Sequence, residues 1–143
     1  MSFREKSAWF VLVGLLATFG VFYFFQLHGA IEPGMAEVHW FVHAVMGFVV
    51  LQVILHIIAA VLDRKGARAP KDEREHIIAL KAARNAGLAL ALGVLVVPVS
   101  AHLGAHHGHD IHAHYMIFII MGALVFSEVV RAASKIIYYR LGR

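Results

Sequence analysis

The sequence predicts an all-α integral membrane protein, a four-helix bundle with both termini in the cytoplasm, and three observations carry that prediction. Hydrophobic residues fill 60% of the 143 positions and charged residues 15%, with a mean hydropathy of +0.73, too apolar for a water-soluble domain of this length. Four nearly uncharged stretches, at about 7–26, 38–62, 79–101 and 112–134, each suit the roughly 20 residues that cross a bilayer. All 13 lysines and arginines lie in or beside the segments that four crossings put on one side. The short-loop rule assigns that side to the cytoplasm. The expectation is a single transmembrane domain over 1–143 in a bacterial inner membrane, with a cytoplasmic loop at 63–76.

The first span carries no Asp, Glu, Lys, Arg or His from Ser7 to Gln26 and is preceded by Arg4, Glu5 and Lys6. It is too long for a signal-peptide core and no small-residue cleavage site follows Phe24 and Phe25, so it reads as a retained helix. The second is interrupted only by His39, His43, Gln52 and His56 and is stopped by Asp63, Arg64, Lys65 and Gly66. The third has a short uncharged centre, which puts Lys81 and Arg84 in its first turns, snorkelling to the interface. Asp72, Glu73 and Glu75 before it complement the positive end of a helix dipole. Ala83, Gly87 and Ala91 repeat at four-residue spacing, a pattern that lets membrane helices approach closely, and Pro98 is expected to kink the end. The fourth span runs from His112 through Val130. Arg131, Lys135, Arg140 and Arg143 then mark an exit along an interfacial helix.

Composition excludes several functions. The chain has no cysteine, so disulfides, thiolate nucleophiles and sulfur cages are absent. The net charge of +4 sits at span ends, which points to anionic lipid headgroups rather than nucleic acid. No phosphate loop, elbow serine or dinucleotide fingerprint occurs, so binding is expected before catalysis.

Nine of the 11 histidines fall at span ends on the non-cytoplasmic side. His39 and His43 are four apart, as are His102 and His106, and on a helix each pair shares one face. The expected metal site lies between the second and third helices on these four, with His107, His109, His112, His114, Glu37 and Asp110 completing the shell or orienting a ligand ring. Nitrogen and oxygen ligands suit zinc or copper, with nickel and iron as alternatives, and Met35, Met46 and Met116 keep copper(I) open. The competing readings are solvated headgroup-region histidines and a pH response of clustered imidazoles.

Other roles compete with a metal site of this kind. A single haem b held by His43 with His102 or His106 is one alternative; two stacked haems are disfavoured, because His43 and His56 are about 140° out of line around a helix. Glu128 falls in the inner half of the bilayer, where ionisable groups are rare and usually partnered. Arg131, Arg84 or Lys81 is its expected partner in a structural ion pair; the sharper alternative is a relay past His56 to the outer histidines. A subunit of a larger membrane complex, with the loop at 64–75 as its contact, is a different class of role, and transport through so few helices is expected to need a homo-oligomer.

The strings His39-x3-His43, His102-x3-His106-His107 and His109-x2-His112-x-His114 resemble the histidine boxes of membrane di-iron hydroxylases and desaturases. That resemblance implies lipid oxidation, but this chain is shorter, lacks the last adjacent pair and puts its histidines on the opposite side. The opening Ser2-Phe3-Arg4-Glu5-Lys6-Ser7-Ala8-Trp9, the segment Asp72-Glu73-Arg74-Glu75 and the close Ser127-Glu128-Val129-Val130-Arg131 with Tyr138-Tyr139-Arg140 are similar to a group of small bacterial four-span membrane proteins. It implies the four-span architecture and an inner-membrane location, and no activity.

Overall fold

Because a bilayer offers no partner to backbone amides, apolar spans satisfy their hydrogen bonds internally as helices. The computed structural model describes residues 3–32, 34–68, 70, 72–106 and 113–142. Among them are five helices and no strand: α1 (Phe3–Leu27), α2 (Met35–Leu62), α3 (Arg64–Arg68), α4 (Glu73–His106) and α5 (Ala113–Leu141). All but α3 are long and apolar enough to cross a membrane.

Local chemistry sets the helix ends. Gly29 adopts φ +70°, and the amides of Gly29 and Ala30 donate to the carbonyls of Gln26 and Phe25, the paired bonds of a glycine-terminated helix. Asp63 closes α2 and accepts the amide of Gly66 at 2.9 Å, which caps α3 within the stretch expected to be loop. A Cβ on Gly66 would stand 2.7 Å from that carboxylate. At α4, the Glu75 carboxylate accepts the Asp72 amide at 3.2 Å, the reciprocal cap of a D-x-x-E sequence. Helix α4 continues through Pro98. One expectation changes here: α5 runs unbroken from Ala113 to Leu141 without a separate interfacial helix.

Packing runs in the order α2, α1, α5, α4: α1 lies on both α2 and α5, α5 lies on α4, and no comparable packing joins α2 to α4. Helices α1 and α5 therefore carry most of the core, while α2 presents most of its surface outward. The α1/α2 seam is filled by Phe19, Phe22, Phe41 and Phe48, with ring centroids 5.6–5.9 Å apart. Tyr23 meets Phe118 of α5 at 5.3 Å.

The α4/α5 contact corrects the small-residue expectation. Ala83, Gly87 and Ala91 are exposed, while Ile78, Ala82 and Ala86 are buried at 1%, 0% and 2% exposure. Gly93 lies so close to α5 that a Cβ would meet that of Ala123 at 2.5 Å. The stripe is shifted by one residue because Asn85 bonds Ser134 at 3.2 Å and Tyr138 at 3.0 Å, turning the 78–82–86–93 face onto α5.

The start of α1, the start of α4 and the end of α5 meet at one end. Arg4 pairs with Glu75, Arg140 reaches Glu5 at 3.4 Å and stacks 5.4 Å over the Trp9 ring. Both chain ends thus share one face of the bundle.

Candidate functional site

At the opposite end, α2 opens with His39 and His43 one turn apart, both exposed. Nδ1 of His43 is 2.7 Å from the carbonyl of His39. His28 makes the same contact to Phe24 at 2.8 Å. A nitrogen facing a carbonyl must carry the proton, so in the neutral ring the lone pair sits on Nε2. Metal-ligating imidazoles are commonly held in this way. His43 also borders an apolar groove of about 480 Å³ between α1 and α2, walled by Val21, Phe22, Phe25, Ile31 and Trp40.

The other expected ligands do not join this pair. Glu37 is 1% exposed. It precedes His39 by two residues, about 200° around a helix, so the carboxylate lies inside while the imidazoles lie outside. Its Oε1, the Tyr23 hydroxyl and the Gln26 Oε1 are buried without a hydrogen-bond partner among the described residues. His102 is exposed on α4, a helix that does not pack along α2. Among the described residues, His39 and His43 therefore do not stand beside His102; the side chain of His106, needed for the four-imidazole clamp and for one of the two haem alternatives, lies outside them. Spacing along the chain puts residues on one face of a helix and carries no information on which helices are neighbours. Among the described residues no three histidine or acidic side chains stand close enough to hold a metal. His106 ends α4 and His114 lies in the first turn of α5; His107, His109, Asp110 and His112 lie outside the described residues.

Toward the end that holds the start of α1 and the end of α5, Glu128 pairs with Arg131 at 3.2 Å, the expected structural ion pair. Arg84 is exposed on α4, and Lys81 lies 5.8 Å over the Tyr138 ring. His56 belongs to the α1/α2 seam. Its Nδ1 lies 2.7 Å from the Gln52 carbonyl, so the Ser7 hydroxyl, 2.7 Å from Nε2, donates to the neutral ring. Gln52 donates across the seam to the Phe10 carbonyl at 3.0 Å. Beyond Gln52 the four phenyl rings take over, so no polar chain along this seam links His56 to His39 and His43.

One feature of this end went unread in the sequence. Helix α5 forms the floor, and α1 and α4 the walls, of a cavity of about 370 Å³ lined by Arg4, Glu75, Glu128, Arg131, Lys135 and Tyr139. Ser7 lines it too, so His56 touches it through that hydroxyl. The available signal was the Asp72-x2-Glu75 cap, which fixes where Glu75 points; that Arg4 meets it depends on α1 and α4 both docking on α5. No family model, curated protein or solved structure matches the chain.

Proposed function

We propose that this chain is a multi-pass protein of a bacterial inner membrane, both termini cytoplasmic, that binds a transition-metal ion, zinc or copper, through imidazoles at its periplasmic rim. The role is sensing, storage or delivery. The observation that carries the reading is the exposed His39/His43 pair with His43 anchored through Nδ1, which leaves two imidazoles on one helix face. Two nitrogens are half of a tetrahedral shell. In this reading the connection 107–112, with His107, His109, Asp110 and His112, supplies the remainder.

Elemental analysis of untagged protein, set against the His39→Ala/His43→Ala double variant, tests the proposal. Near-stoichiometric metal in the wild type and loss of most of it in the variant is expected; equal content in both defeats the site. The outward face of α2 favours a second reading, a subunit of a larger membrane complex. Stoichiometric co-purifying chains with no metal would select it.

A further inference from the structure

The described serines differ in where the hydroxyl is engaged. Ser100 and Ser127 donate to the carbonyls of Val97 and Leu124, three residues earlier, at 2.9 and 2.8 Å, the usual outlet for a hydroxyl on a helix. Ser134 accepts from Asn85. Ser7 instead reaches across the α1/α2 seam to Nε2 of His56 at 2.7 Å. The other ring nitrogen faces the Gln52 carbonyl at 2.7 Å, so Nδ1 carries the proton and Nε2 is the acceptor. The Gln52 side chain is tied to the Phe10 carbonyl at 3.0 Å, which holds α1 and α2 in the register that brings hydroxyl and ring together. A hydroxyl on the basic nitrogen of an imidazole, with the second nitrogen oriented by a third group, is the arrangement that activates a nucleophile.

Ser7 also lines the cavity of about 370 Å³, whose wall is apolar at Ala8, Val11 and Ala79 and carries donors at Arg131 and Tyr139. Arg131 pairs with Glu128 through one nitrogen; a guanidinium has five N–H donors, so the same group serves an oxyanion formed in the cavity. We propose that Ser7 and His56 are the nucleophile and base of a site that hydrolyses carboxylic esters of apolar acyl chains, a role independent of the metal reading. Ser7 Oγ adds to the ester carbonyl carbon as its proton passes to His56 Nε2. The bond from that carbon to the alcohol oxygen then breaks, and the leaving oxygen takes the proton from His56. Water repeats the sequence on the acyl-serine, releasing the carboxylic acid and restoring the hydroxyl. A backbone carbonyl fixes the His56 tautomer but brings no negative charge to stabilise the imidazolium, unlike the carboxylate of a full triad. That weaker support suits esters, whose alkoxide leaves more readily than the nitrogen of an amide. The apolar wall favours a hydrocarbon acyl chain over a small soluble ester.

The test is covalent labelling of the full-length protein in detergent with alkyl fluorophosphonates, which phosphonylate an activated serine as fluoride leaves, followed by peptide mass spectrometry. A single adduct at Ser7 is expected, formed faster by a decyl than by an ethyl probe and absent from denatured protein. Ser7→Ala should abolish it, His56→Gln should slow it by about 100-fold or more, and Ser100→Ala should leave it unchanged. Hydrolysis of a decanoyl ester, lost in Ser7→Ala, is expected alongside. Melting temperature in detergent identifies a variant that has failed to fold; if His56→Gln does, the position of the wild-type adduct and the denatured control carry the decision. No adduct, an adduct at another serine, equal labelling of denatured protein, or an unchanged rate in folded His56→Gln overturns the pair. Labelling without ester turnover overturns the hydrolytic role, and equal rates with the two probes overturn the apolar acyl chain.

Discussion

The histidines of this chain divide by what their second nitrogen does. His28, His43 and His56 all place Nδ1 against the carbonyl four residues earlier. Only His56 has its Nε2 taken, by Ser7 on the neighbouring helix. His56 is therefore a seam residue, whereas His28 and His43 are exposed with Nδ1 anchored in the same way. Ser7→Ala removes a hydroxyl from a half-buried ring and is expected to cost about 1 kcal/mol, read as a lower detergent melting temperature, with Ser7→Thr keeping most of the stability. Metal content should not change in either variant; a loss of metal on Ser7→Ala would tie the two ends together and contradict the division. Glu37 shows the limit of spacing arguments at this scale, since its type and position suggested a ligand and its burial against α1 removes it from the exposed pair.

Among the helices, α4 is the most instructive, because its alanine-rich sequence offers two four-residue stripes and the fold uses the one containing Ala82 and Ala86. Gly87 meets nothing within 4 Å, whereas Gly93 abuts Ala123. Gly87→Ala should accordingly be neutral or stabilise by up to about 1 kcal/mol through helix propensity. Gly93→Leu should destabilise by about 1–3 kcal/mol or more through overpacking. Thermal unfolding in detergent checks both, and the reverse ranking would restore the stripe through Ala83, Gly87 and Ala91. Glu75 serves two elements at once, capping α4 and pairing with Arg4 of α1. Glu75→Ala is expected to lose about 1–2 kcal/mol, seen as earlier proteolysis of the 63–76 segment, and Glu75→Gln, which keeps an acceptor for the Asp72 amide, should lose less.

For the whole molecule, the decisive feature is the packing order, with α1 and α5 inside and α2 and α4 on the flanks. The absence of native cysteine makes that order directly measurable. Ser7→Cys/His56→Cys, at a seam where the native side chains touch, should cross-link readily on oxidation. His43→Cys/His102→Cys, on helices that do not pack along one another, should not. Efficient bridging of the second pair would mean that α2 and α4 meet in the membrane, and would return the four-imidazole clamp to consideration. The same order explains why the cavity between α1, α4 and α5 exists: two helices docked on one floor leave a gap between them, and charged side chains line it.

The spans, their number and the gathering of basic residues at one end were legible without coordinates, because a bilayer imposes length, apolarity and flanking charge on each segment separately. Gln26-Leu27-His28-Gly29, Asp63-x2-Gly66 and Asp72-x2-Glu75 hold their turns and caps within a few residues, a local signal that reading the spans left unused. Tertiary structure alone decided which stripe of α4 is buried, that Glu37 turns away from His39 and His43, and that Arg4, Glu75, Glu128, Arg131 and Lys135 share one cavity. Those outcomes depend on which helices lie side by side and how each is rotated. Periodicity along a single chain segment holds no record of either.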